Sequence, residues 1–356
     1  MLKKIAIFSL ILAAFSLYAE GEYEGKLQET VVTATGFSDN IENQIKNITV
    51  ITNQDIIDKG YNNVEEILRR APGVNFVNNN FGNITDIRGQ GPEKASGRVK
   101  ILVDGVPMNI LDLSHALVPI NTVAVEDIEK IEIINGGGSV LYGNGTAGGV
   151  VNIITKKGRK EGASGKAYYQ NSSYNTNKLG FSTGLNLNNK LTLDLGYENI
   201  NGRGYRENDK TSSEFLKGGL IYNITDNQSL KFKATRYNEE YRESSGITAA
   251  QLAQNRKQRG ETLTFGDVVR KEYSLEYNVK PTENFELSIL GYKQKMKREY
   301  DQKDSETDTD GLFQDRKTGA RLKGNYNYGS GNLVFGYEYT DNDMLRKALN
   351  SYTVNM

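Results

Sequence analysis

The chain has 356 residues with 44 acidic and 44 basic side chains, so bulk charge does not drive nucleic-acid binding. Cysteine and tryptophan are absent and His115 is the one histidine, which excludes a disulfide framework, thiolate metal sites and thiol catalysis. With 37 Gly and 21 Tyr against 5 Pro, the composition is that of a β-rich chain with many turns.

The first twenty residues, MLKKIAIFSLILAAFSLYAE, place Lys3 and Lys4 before an uncharged, mostly apolar run from Ile5 to Leu17. That is the layout of a secretory signal peptide over residues 1–19, cut after Ala19, and it is too short to span a membrane as a helix. Removing Lys3 and Lys4 leaves 42 basic residues against 44 acidic ones in an exported chain. A segment over residues 20–45 follows. Within it LQETVVTATGF (27–37) has no helical period and is rich in Thr and Val, so it favours an extended backbone that could add to a partner's sheet or serve as a first strand.

Residues 46–158 mix short helical and strand signals. Asn53 is expected to cap a helix over QDIIDKG that stops at Gly60. Asn63 is expected to cap VEEILRR, with Val64, Ile67 and Leu68 on one face and Pro72-Gly73 ending it. Strands are expected at 74–77, 84–88, 98–103 and 128–134, with a tight turn at Asp104-Gly105 and a partly buried strand at 149–155. The pattern is a small α+β domain.

From about Gly165 the chain alternates strictly. Leu191, Leu193, Leu195 and Tyr197 form one apolar face, and Tyr273, Leu275, Tyr277 and Val279 another. About nine such strands are expected between 165 and 340, within a region spanning 159–356, joined alternately by short turns and by long polar connections at 199–213, 238–267 and 299–315. Short and long connections in turn are the rhythm of an antiparallel transmembrane β-barrel, apolar towards lipid and polar towards the lumen. A soluble antiparallel sheet is the alternative, since its strands alternate too.

Gly143, Gly145 and Gly148 spell G-x-G-x-x-G, the fingerprint of a dinucleotide-binding turn. That fingerprint needs a helix after it, and VVNIIT is strand-like, so no nucleotide is expected there. The glycines are expected instead to let backbone lie close against neighbouring walls.

These stretches together resemble TonB-dependent outer-membrane receptors. ETVVTATG (29–36) is similar to the TonB box; VEEILRRAPGVNF (64–76), IRG (87–89), LVDGVPMN (102–109) and IEKIEIINGGGSVLYGNGTAGGVVNIITKK (128–157) are similar to the plug domain. The resemblance implies an α+β plug followed by a transmembrane β-barrel that is incomplete here. A closed barrel of the family has more strands, so the chain is expected to be the N-terminal portion of a longer receptor, and alone is expected not to insert stably. It implies a TonB box at Glu29, Thr30, Val31, Val32, Thr33, Ala34 and Thr35, a ligand-binding apex at Asn78, Asn79, Asn80, Phe81, Asn83, Asp112 and His115, and a plug–barrel contact through Arg88. Where the family carries Arg-Gly-Pro, this chain has Asn135-Gly136-Gly137, which removes half of a charge cluster between plug and barrel.

The partners implied are TonB with its inner-membrane energising complex, an iron chelate such as a siderophore or haem, and outer-membrane lipid, with no nucleic acid. No cofactor, no resident metal and no enzymatic chemistry are expected. The acidic runs at 238–243 and 301–310 read as solvated loop tips, or as cation-attracting ones. The competing function is a plug-containing surface adhesin that does not transport.

Overall fold

The structure is a computed structural model describing residues 30–31, 37, 39–40, 48–79, 82–95, 97–111, 120–136, 139–156, 162–188, 190–303 and 307–353. The expected signal peptide lies outside the described residues. No helix among the described residues is long and apolar enough to cross a membrane, which says nothing of strands.

The first described elements are the short strands β1 (Thr30–Val31) and β2 (Asp39–Asn40), paired antiparallel. Strand β3 (Ile48–Thr52) leads into helix α1 (Asn53–Lys59). The cap of α1 is Thr52, not Asn53. The Thr52 hydroxyl accepts from the Asp55 amide at 3.2 Å and the Thr52 amide donates back to the Asp55 carboxylate at 3.0 Å, a reciprocal pair that satisfies two otherwise free donors. Asn53 is used differently, its amide donating to the Ile128 carbonyl at 2.7 Å and tying the helix to the sheet. Gly60 ends the helix in the left-handed region, φ 63°. Helix α2 (Val64–Arg69) is capped by Asn63, as its sequence predicts, and turns Val64, Ile67 and Leu68 into the core.

The hairpin β4 (Val74–Asn79) and β5 (Gly82–Ile87) follows, then the short helix α3 (Pro92–Ala95). Strands β6 (Val99–Val103) and β7 (Val106–Pro107) flank the Asp104-Gly105 turn. A 3₁₀ turn (Val125–Asp127), β8 (Ile128–Ile134), the short helix α4 (Ser139–Tyr142) and β9 (Gly149–Thr155) complete the domain.

The sheet order is β3-β8-β9-β6-β7, with only β6 and β9 parallel. Strand β9 is central and buried at every position, not partly buried, which is why its sequence runs apolar on both faces. Ile101, Val103, Ile131, Ile133, Val151 and Ile153 pack one face of this sheet against the helices. Leu102, Ile134, Val150 and Tyr142 close the other.

The glycines before β9 make close contacts, but within this domain. An added Cβ at Gly148 would stand 3.1 Å from the Arg98 carbonyl, and at Gly149 2.5 Å from the Ile134 carbonyl. The strand that follows lacks the helix a dinucleotide turn requires.

Nine strands then form one antiparallel sheet in sequence order. They are β10 (Gly162–Ser172), β11 (Thr176–Leu187), β12 (Leu191–Arg203), β13 (Lys210–Thr225), β14 (Gln228–Ser244), β15 (Leu263–Thr282), β16 (Phe285–Lys303), β17 (Thr307–Asn327) and β18 (Asn332–Thr353). This wall is a partial, unclosed barrel. One face carries exposed Leu195, Leu216, Phe232, Leu275, Ile289 and Tyr337. The other carries the charged side chains that meet the N-terminal domain.

The strands lengthen from 11 residues in β10 to 22 in β18. The long polar connections expected at 199–213 and 299–315 are therefore mostly strand, with only residues 204–209 outside between β12 and β13, while the one expected at 238–267 shrinks to 245–262. The cause is solvation: crossing lipid takes about 9–11 residues, and beyond that both faces of a strand can be polar, so the alternation fades while the ladder continues. Accordingly the acidic run 238–243 lies inside β14, where Glu239 accepts from the Thr211 hydroxyl at 3.1 Å, rather than in a loop tip. The connection between β14 and β15 carries the one-and-a-half-turn helix α5 (Ala249–Gln254).

Candidate functional site

The N-terminal domain meets the wall through buried charges. At the turn after β6, the Asp104 carboxylate accepts from the Thr155 amide at 2.8 Å and the Thr155 hydroxyl at 2.7 Å, so the turn is fixed to the end of β9. The same carboxylate accepts from Lys233 of β14 at 2.6 Å. Lys233 also lies 3.5 Å from Glu272 of β15, which pairs with Arg270 at 2.5 Å. Gln294 of β16 donates to Glu272 at 2.9 Å. Arg270 in turn reaches the Thr122 hydroxyl of the domain at 3.4 Å. A chain of charge thus crosses β14 and β15, is joined by a neutral amide from β16, and returns to the domain.

A second contact lies at the 3₁₀ turn before β8. Asp127 accepts from Lys217 of β13 at 2.8 Å, and Lys217 is also 3.2 Å from Asp194 of β12 and donates to the Lys156 carbonyl at 3.1 Å. Glu126 beside it pairs with Lys166 of β10 at 2.5 Å. On the far side Lys100 lies 3.4 Å from Glu338 of β18, and Arg321 of β17 donates to the Gly105 carbonyl at 2.8 Å. Two small apolar clusters accompany the charges: Val106 packs on Leu290 and Tyr292, and Ala124 on Phe215 and Tyr237.

The two aspartates differ electrostatically. Burial acts on Asp104, but the Lys233 ammonium and the Thr155 donors override it and hold the carboxyl at about 2. Burial raises Asp127 to about 6 although Lys217 favours its charged form. Burial also lowers the Lys100 and Lys156 ammonium groups. A cavity of about 80 Å³ touches both contacts, lined among others by Asp104, Lys156, Asp194, Lys217, Lys233 and Glu276. No group of three or more metal-ligating side chains occurs among the described residues. The arrangement can hold a domain against a wall, and charged pairs can be remade without a covalent step.

The sequence-predicted residues fall as follows. Thr30 and Val31 form β1, opposite Asn40 and Asp39. Glu29, Val32, Thr33, Ala34 and Thr35 lie outside the described residues. Asn78, Asn79 and Asn83 sit at the end of the β4–β5 hairpin, Asn78 opposite Asn83. Asn80, Phe81, Asp112 and His115 lie outside the described residues. Arg88 has φ 72° and places its guanidinium over Gly136, where an added Cβ would stand 2.8 Å away. Arg88 thus lies over the residue that follows Asn135, the position of the missing Arg, and the described ion pairs between domain and wall use other residues.

The sequence reading missed Asp104, Asp127, Glu126 and Lys100 as contact residues, and Lys217 and Lys233 as their partners. A signal for the lysines existed. Each alternates with an apolar neighbour, Leu216 or Phe232, and so points away from the apolar face into the interior, where a charge needs a partner.

Comparison with known proteins places this geometry in context. Residues 40–150 match the TonB-dependent Receptor Plug Domain. The chain is 28% identical to the ferric enterobactin receptor of Pseudomonas aeruginosa, over 96% of this chain and 45% of that protein. It superposes on the unliganded ferric citrate transporter FecA with a TM-score of 0.74 at 22% identity, covering 87% of this chain and 49% of that one. The open form of the ferric-catecholate import receptor Fiu of E. coli K12 gives 0.71 at 16% identity, covering 90% and 53%. The chain therefore spans about half the length of the relatives it matches.

Proposed function

The chain belongs to the TonB-dependent receptor family, and on that premise we propose that it is the plug and part of the barrel of an outer-membrane importer of an iron chelate. The observation that carries the reading is the seating of the plug on the wall through Asp104–Lys233 and Asp127–Lys217. A plug held by such pairs blocks the lumen at rest and can be shifted without breaking a covalent bond. The curated relative named as a ferric enterobactin receptor supports iron as the cargo.

In this reading the chelate binds from outside against the plug apex, around Asn78–Asn83 and residues 112–115. The segment at 29–35 then pairs as a strand with TonB in the periplasm, and the inner-membrane complex supplies the work that moves the plug. The cargo passes unchanged, so no catalytic group is needed. Export through a cleaved signal peptide at 1–19 brings the chain to that membrane.

Uptake of radiolabelled iron, offered to iron-starved cells as a panel of siderophores and haemin, tests this. Cells expressing the whole importer of which this chain is the plug and part of the barrel should take up at least one chelate. Val31→Pro removes a ladder donor from the TonB segment and should abolish uptake while leaving surface binding intact. Undiminished uptake by the proline variant would rule out strand pairing by this segment as the coupling step.

A further inference from the structure

The outer face of the wall carries a row of cations that neither the plug contact nor transport uses. Register places Arg236 of β14 opposite Lys271 of β15, Lys271 opposite Lys295 of β16, and Lys295 opposite Arg316 of β17. All four side chains are exposed. Directly opposed side chains lie about 5 Å apart at Cβ, and like charges there repel. Strands about 4.8 Å apart make the row about 14 Å long. Among the described residues none of the four has a carboxylate within 4.0 Å. Among the described residues Arg236 donates only to Asn238 of its own strand, at 3.2 Å. Asp343 of β18, the register partner of Arg316, ends the row.

The position of the row indicates what neutralises it. One step along the same face towards the short turns stand Tyr273 and then Leu275 on β15, and Phe232 lies two steps from Arg236 on β14; these are 50%, 48% and 44% exposed. They belong to the apolar belt. The row sits about nine to twelve residues from the turns at Asp226–Asn227 and Glu283–Asn284, close to the roughly 9–11 residues a tilted strand needs to cross hydrocarbon. The cations therefore lie where the belt ends, at headgroup depth on the side away from the short turns. A fifth, Lys293, is exposed one step nearer the belt.

We propose that Arg236, Lys271, Lys295 and Arg316 form a binding row for the phosphate groups of lipid headgroups in that leaflet. The proposal rests on the membrane reading above. Each guanidinium or ammonium offers a charge-assisted hydrogen bond to a phosphate oxygen. A phosphate between two strands converts an opposed like-charge pair into a bridged one. The lipid's acyl chains then lie along Phe232, Tyr273 and Leu275.

The test uses the full chain in a neutral detergent, titrated with dihexanoyl-phosphatidic acid, dihexanoyl-phosphatidylcholine and inorganic phosphate, with affinity read by calorimetry. Wild-type protein should bind phosphatidic acid at least about tenfold more tightly than the other two, since a basic side chain near an anionic lipid surface contributes about fivefold. The variant carrying Arg236→Gln, Lys271→Gln, Lys295→Gln and Arg316→Gln should lose that preference at unchanged β-sheet circular dichroism. The pair Arg236→Lys and Arg316→Lys should keep it. A preference that survives the glutamine variant, or equal binding of the two lipids, overturns the row as a lipid site. Inorganic phosphate binding as tightly as phosphatidic acid overturns the lipid assignment. A chain that does not partition into detergent at all overturns the membrane reading and the row with it.

Discussion

Asp127 and Lys217 meet at 2.8 Å across the plug–wall contact, while the second oxygen of Asp127 is buried without a hydrogen-bond partner among the described residues. Asp104 stands in the opposite condition, with its oxygens taken by Thr155 and Lys233. One carboxylate is fully used and the other half-used, and their proton affinities diverge accordingly.

This divergence gives two separate pH windows. Asp127 is raised to about 6, so between about pH 4 and 6 the folded protein holds a proton that the unfolded chain releases. Its contribution to stability falls as pH rises through that window and is level above it, by on the order of 3 kcal/mol at most. Asp104, held at about 2, stabilises above about pH 4 and loses that contribution as pH falls towards 2. Thermal unfolding in detergent from pH 4 to 7 should show a downward component in wild type that Asp127→Asn removes. Parallel curves for the two proteins would show that Asp127 does not titrate there.

Lys233 is shared by Asp104 and Glu272, and Glu272 is almost completely buried. Lys233→Met therefore strands charge on both sides of the contact, and a loss of about 3–5 kcal/mol is expected. Asp104→Asn, which can still accept from Thr155, should cost less. The two changes share a partner, so a double-mutant cycle should give strong coupling. Additive effects in denaturant unfolding would mean that the pair does not act as a unit.

Tyrosine rings lie over cross-strand glycines on the inner face of the wall. An added Cβ at Gly266 would stand 2.2 Å from the Tyr241 ring, and at Gly311 2.3 Å from the Tyr300 ring. The Tyr241 hydroxyl accepts from Arg298 at 2.8 Å, so displacing the ring also breaks a charged hydrogen bond. Gly266→Ala should destabilise by about 1–3 kcal/mol. Gly291, in the same sheet, has nothing within 4 Å of an added Cβ, so Gly291→Ala should be neutral or stabilise by up to about 1 kcal/mol. Equal unfolding midpoints for the two variants would contradict this account of the glycines.

Much of this architecture is legible in local sequence because local physics sets it. The Asn63 cap, the Asp104-Gly105 turn and the strand at 128–134 each depend on a few neighbouring residues, and the structure has all three. The alternation of Leu191, Leu193, Leu195 and Tyr197 marks a wall strand because one face is apolar throughout. What local sequence does not carry is pairing over distance. Asp104 and Lys233 are 129 residues apart and Asp127 and Lys217 are 90 apart, so nothing in either stretch names its partner. The same holds for strand length, since β14 continues through a polar run that has no alternation to announce it. Capping by Thr52 rather than Asn53 is a one-residue shift that the Thr52–Asp55 spacing already contained.

The central claim is that the plug must move against the wall for cargo to pass, and a tether across that contact tests it most directly. The chain has no cysteine, and Val106 of the plug packs on Leu290 of the wall, so Val106→Cys with Leu290→Cys gives one addressable pair. In cells expressing the importer of which this chain is the plug and part of the barrel, a short reducible thiol-specific linker across the pair should leave chelate binding intact, stop iron uptake, and release it again on reduction. Full uptake with the linker quantitatively in place would contradict the account.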